Sequence, residues 1–154
     1  IMDGDHDIDT CMEVTEVVLR SLFGALYDQN VMLEGTILKA SMVISGKSCP
    51  EQASVEEVAE MTVRCLKSAV PAILPGIVFL SGGQSDEDAT AHLNAMNQMG
   101  PHPWPLSFSY GRAMQAAALK IWSKDLVGNV AAAQQTVFAR AKDNGLAAQG
   151  KWKK

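Results

Sequence analysis

Apolar positions along this chain follow two alternating rhythms. Met12, Val18, Leu19, Leu22, Phe23 and Leu26 recur at helical spacing, which predicts an amphipathic helix over about residues 9–29. The next apolar run, residues 35–43, is short and carries Thr36, Ile37 and Val43, so it predicts a strand ending near residues 42–44. Gly46, Ser48 and Pro50 then mark a loop. Ser54-Val55-Glu56-Glu57 has the spacing of a capping box and opens a second helix through Val58, Met61, Cys65 and Leu66, stopped before Pro71. Residues 76–83 predict a second strand. Ser85, followed by Asp86, Glu87 and Asp88, starts a third helix with carboxylates at its positive end. Pro101, Pro103 and Pro105 break the chain before a third strand from Leu106 that runs into Gly111 and Arg112. The remainder predicts helix over residues 113–124, a kink around Gly128, and helix again from Val130 to about Lys142.

The order is αβαβαβα, an α/β class of parallel strands joined by right-handed crossovers. The near-continuous apolar strands imply a sheet covered on both faces. Three strands alone leave an edge open, and a complete eight-stranded barrel usually needs ~250 residues. Residues 1–154 are therefore expected to form a single incomplete domain.

Composition narrows the function. Apolar content is 47%, charged residues 19%, and the formal net charge −4, with no basic stripe to neutralise nucleic-acid phosphates. No apolar run approaches the roughly 20 residues that span a bilayer, and no basic-then-apolar secretory leader opens the chain. Three scattered cysteines, Cys11, Cys49 and Cys65, fit buried reduced thiols in a cytoplasmic compartment. Asp3-Gly4-Asp5-His6-Asp7 has Ile8 and Val14 where a calcium loop needs glycine and glutamate, so it reads as a solvated acidic turn ahead of a helix. His6, His92 and His102 do not pair with cysteines at zinc-ligand spacing, and no metal is expected.

The chemistry-bearing residues end the strands. Lys39 lies in an apolar strand, where burial disfavours the ammonium form and makes an amine nucleophile near neutral pH. Ser81, Gly82 and Gly83 end the second strand; they are compatible with a plain strand-to-helix turn or with a backbone phosphate cradle at a helix start. Arg112 follows the third, where a guanidinium can grip phosphate with two donors or stand as a solvated loop charge. An amine, a Gly-Gly turn and an arginine at three strand ends suit a site for a phosphorylated carbonyl compound.

Three segments carry a resemblance to a known family: residues 33–39, Val78-Phe79-Leu80-Ser81-Gly82-Gly83-Gln84-Ser85, and Phe108-Ser109-Tyr110-Gly111-Arg112-Ala113. Together with the opening Asp-Gly-Asp-His-Asp and the tail Gly150-Lys151-Trp152, in that order, they resemble class I fructose-bisphosphate aldolase over essentially the whole chain. The resemblance implies the carboxyl-terminal part of a (β/α)8 TIM barrel, with Lys39 as the Schiff-base nucleophile on the sixth strand. It implies that Ser81, Gly82, Gly83, Ser109, Gly111 and Arg112 surround a sugar phosphate. It further implies reversible fructose 1,6-bisphosphate cleavage in glycolysis and gluconeogenesis through a covalent imine with no cofactor or metal, in a cytoplasmic homotetramer. Ala40 and Ser41 stand where the family commonly has proline and asparagine. The family's acid/base glutamate is expected just upstream of Asp3, before the chain begins. Two rivals stay open at this point: another lysine-imine aldolase or transaldolase, and a non-catalytic half-barrel.

Overall fold

Asp7 ends the acidic opening turn by capping a helix. Its carboxylate accepts the Thr10 N–H at 2.8 Å, and the Thr10 hydroxyl and N–H together hold its pKa below the ordinary carboxylate value. The helix it starts, α1, spans Ile8–Asp28 in the computed structural model, which describes residues 2–153. A short 3-10 turn, Leu33–Gly35, leads into β1 (Leu38–Ala40). Next come α2 (Val55–Ala69), β2 (Ile77–Phe79), α3 (Asp86–Gln98), β3 (Leu106–Phe108), α4 (Arg112–Trp122) and α5 (Val130–Ala147). Both predicted caps form. Ser54 Oγ accepts the Glu57 N–H at 3.2 Å while Glu57 Oε2 accepts the Ser54 N–H at 2.7 Å. Ser85 Oγ accepts the Asp88 N–H at 3.0 Å.

The strands pair in parallel in the order β1-β2-β3, with Leu38 level with Ile77 and Leu106. Each ladder is only three residues long, shorter than the apolar runs predicted. The chain beyond Ala40 remains buried at Met42, Val43 and Ile44, but the Val43 N–H turns to Thr62 Oγ1 on α2 at 2.9 Å. Gly46, Lys47 and Ser48 donate instead to the carbonyls of His6, Met2 and Gly4. That approach requires a glycine, because a Cβ at Gly46 would collide with the Gly4 carbonyl.

Alternation along the strands sorts the two faces. Ile77, Phe79 and Leu106 are at most 3% exposed and join Val63, Leu66, Leu93 and Met96 of α2 and α3 in one core. Lys39, Val78 and Ser107 share the other face; Lys39 is exposed and its two neighbours half-buried. The expectation of a sheet covered on both faces is therefore corrected. Among the described residues only one face is packed.

The kink expected at Gly128 is a full break. Asp125 Oδ1 accepts the N–H groups of Val127 and Gly128 at 3.0 and 2.9 Å, closing a turn that starts a separate helix. That helix, α5, continues to Ala147, past the predicted end near Lys142, and packs on α4 and α3.

Candidate active site

Parallel pairing of successive βα units puts all three strand carboxyl ends at one edge of the sheet, and two bonds keep them level beyond the ladders. The Leu80 N–H donates to the Ala40 carbonyl at 2.9 Å, and the Ser109 N–H to the Phe79 carbonyl at 2.8 Å. Lys39-Ala40, Leu80-Ser81 and Ser109 thus sit in adjacent positions across the sheet.

Lys39 occupies the middle of β1, as predicted, but it is exposed where burial was expected. The reason is the face it occupies. A groove of about 370 Å³ runs between β1 and α1, bordered by Val14, Val18, Leu22 and Lys39. Neighbouring Ile37, at 61% exposed, is as open as the lysine's surroundings suggest.

Ser81 is 7% exposed, and its Oγ accepts the Ala113 N–H at 3.4 Å. This contact ties the end of β2 to the first turn of α4. Gly83 has φ +80°, a conformation glycine adopts without steric cost. The glycine pair also permits close packing: a Cβ on Gly83 would lie 2.9 Å from Ile44 Cδ1, and one on Gly82 would collide with Met2 Sδ.

Arg112 is the first residue of α4 rather than the end of a strand, because β3 stops at Phe108 and Ser109, Tyr110 and Gly111 form the turn. Ser109, Gly111 and Arg112 are exposed. Among the described residues the Arg112 side chain has no hydrogen bond or ion pair. Gly111 occupies the N-cap of α4 without a side-chain cap, and the first turn carries no carboxylate. By contrast, Asp86, Glu87 and Asp88 occupy the first turn of α3. The two helix starts therefore differ in electrostatics: no carboxylate opposes an anion at the amino end of α4, whereas three stand in the first turn of α3.

Sequence reasoning missed the residues that hold these turns. Tyr110 is buried, and its hydroxyl donates to the Ala89 carbonyl on α3 at 2.8 Å while its ring packs on Phe108 with centroids 5.4 Å apart. Burial raises its pKa above the ordinary phenol value. Beside the glycine turn, His92 Nδ1 lies 2.7 Å from Gln84 Oε1, and burial pushes the imidazole below its ordinary pKa. Both residues were visible only as a strand-end aromatic and an unclustered histidine. Cys11 and Cys65 are buried and all three cysteines are unpaired; burial pushes the Cys65 thiol up to about 11. No group of three or more His, Cys, Asp or Glu side chains among the described residues is arranged to hold a metal ion. No helix is long and apolar enough to cross a membrane among the described residues.

Three parallel strands, each followed by a helix and each delivering its loop to one edge, define an α/β protein built of repeated βα units. A solved structure of fructose-bisphosphate aldolase from Plasmodium falciparum, in complex with TRAP and a small-molecule inhibitor, superposes with a TM-score of 0.95 at 48% identity, over 99% of this chain and 44% of that one. The sequence model of the family Fructose-bisphosphate aldolase class-I matches residues 1–154, and the chain belongs to that family. Among its relatives, a probable fructose-bisphosphate aldolase class 1 of Xanthomonas campestris pv. campestris is 80% identical over 153 residues, 99% of this chain and 46% of the relative. Fructose-bisphosphate aldolase 1 of Toxoplasma gondii is 57% identical over 152 residues, 99% of this chain and 42% of the relative. The chain thus spans less than half the length of these relatives.

Proposed function

We propose that this chain supplies the imine-forming and anion-binding part of a class I aldolase that reversibly cleaves fructose 1,6-bisphosphate into dihydroxyacetone phosphate and glyceraldehyde 3-phosphate. The observation that carries this reading is the row of strand ends: Lys39 on β1, Ser81 after β2, and the uncapped, carboxylate-free start of α4 bearing Arg112. The Lys39 amine adds to the substrate ketone, and loss of water gives a protonated imine. When the carbon–carbon bond breaks, the hydroxyl beside it gives its proton to a base, and that fragment leaves as the aldehyde glyceraldehyde 3-phosphate. The bond's electron pair moves into the imine to give an enamine, and protonation and hydrolysis then release dihydroxyacetone phosphate and the free lysine. The Ser81 hydroxyl, the Gly82 and Gly83 backbone, Ser109, Gly111 and the Arg112 guanidinium receive a phosphate of the substrate. Closure of the uncovered sheet face by further barrel strands would bury the Lys39 amine. The acid/base group is assigned to no residue of this chain. The same reading makes the protein a cytoplasmic homotetramer.

Borohydride trapping tests the assignment. In the full-length protein incubated with dihydroxyacetone phosphate, reduction should leave one adduct that maps to Lys39 by peptide mass. Lys39→Arg should abolish it, since a guanidinium does not form the imine. An adduct that persists in the variant would place the nucleophile elsewhere.

A further inference from the structure

Arg140 projects from the middle of α5 into the gap between α3 and α4, and only 12% of its side chain is exposed. Nε donates to the Ala113 carbonyl at 3.1 Å. Nη2 donates to the Asp86 carbonyl and to Thr90 Oγ1, the latter at 2.6 Å. Thr90 Oγ1 also lies 2.7 Å from Asn144 Oδ1, and both residues are fully buried. The only carboxylate paired with the guanidinium among the described residues is Asp143, at the 4.0 Å limit from Nη1. A desolvated cation this weakly paired on charge alone is held by the carbonyls of two helices.

Those carbonyls are specific ones. Asp86 opens α3, directly after the glycine turn, and Ala113 is the second residue of α4. Ala113 also donates its N–H to Ser81 Oγ, so one residue faces the strand end with its donor and Arg140 with its acceptor. We propose that Arg140 is a positioning residue that fixes the first turns of α3 and α4 relative to each other and so shapes the anion site between Ser81 and Arg112. This rests on the phosphate-binding reading above. The planar guanidinium spans both helices at once. A lysine at this position retains the charge but not the fork.

Full-length enzyme carrying Arg140→Met, Arg140→Lys or Arg112→Ala tests it, with KM for fructose 1,6-bisphosphate and the inhibition constant of inorganic phosphate measured for each. Misplacing a binding group by about 1 Å can cost on the order of 100-fold, so Arg140→Met should raise both constants together by about tenfold or more. Because the lost interaction is in binding, kcat should change far less. Arg140→Lys should fall between Met and wild type. If Arg112→Ala leaves phosphate inhibition unchanged, the anion-site reading itself fails. If Arg112→Ala weakens inhibition while Arg140→Met lowers kcat at constant KM, Arg140 is merely structural and the proposal is overturned. Should Arg140→Met not fold, Arg140→Lys decides by the same comparison, and unchanged KM and inhibition constants overturn it.

Discussion

Thr62→Val is the sharpest probe of what holds the loop after Lys39. Thr62 and Val43 are each 1% exposed, and the hydroxyl is the acceptor for the Val43 N–H at 2.9 Å. Valine replaces the hydroxyl with a methyl of nearly the same size, so no cavity opens. Burying the extra methyl returns roughly 0.8 kcal/mol. The Val43 N–H, however, loses its only acceptor in a site closed to water, which costs about 1–3 kcal/mol. The net expectation is a loss of about 0.2–2 kcal/mol, or up to roughly 8 °C in Tm for a chain of this size. Urea unfolding followed by circular dichroism should show a lower midpoint at unchanged slope. Hydrogen exchange should show faster loss of the Val43 amide in particular, with the Leu80 amide, bonded to Ala40, less affected. Thr62→Ser keeps the acceptor and should retain amide protection even where packing is lost. If Thr62→Val is as stable as wild type and Val43 stays protected, the bond does not hold this segment, and the account of why β1 stops at Ala40 fails.

Two further outcomes follow from groups packed beside the candidate site. Burial is the main cause that depresses the His92 pKa, with the Asp88 and Glu56 charges opposing it, so the unfolded chain binds this proton more readily. Stability is then full above the unfolded value near 6.5 and declines as pH falls through it toward the lower folded value. His92→Gln should flatten the urea midpoint between about pH 7 and 5, and an unchanged slope would count against this assignment. Tyr110→Phe removes the donor to the Ala89 carbonyl and should cost about 1–2 kcal/mol; a Tm equal to wild type would show that water replaces the hydroxyl.

Much of the fold is legible in the sequence because it rests on local chemistry. The capping box at Ser54 and Glu57 and the Ser85 cap bridge residues three apart, so their spacing is sufficient evidence. The parallel order follows from helices long enough to cross between strands. Strand length is another matter. Whether the Val43 N–H continues a ladder or turns to Thr62 depends on a partner 19 residues away, and nothing in an apolar run records that choice. The break before α5 is a middle case. Gly128 marks it, but Asp125 decides that the chain turns rather than bends.

The candidate site divides along the same line, and for the same reason. Lys39, Ser81 and Arg112 were visible because each lies in or follows its own strand, and repetition of the βα unit carries all three toward one edge. Their environment was not visible, because exposure is set by what lies across the sheet. A lysine within an apolar run signals burial only if both faces are packed, and here one face is open. The electrostatics of the two helix starts were legible in part: Asp86, Glu87 and Asp88 follow Ser85 at the start of α3, whereas the first turn of α4, one unit further on, carries no carboxylate. Arg140 could not be found from pattern at all. Its acceptors lie 54 and 27 residues upstream, on two different helices, and on a helix surface it is one basic residue among several. Residues that touch a substrate recur in short motifs, whereas the residues that hold those motifs in place are chosen by tertiary geometry. A site read from its motifs alone therefore lacks the part of its structure on which its precision depends.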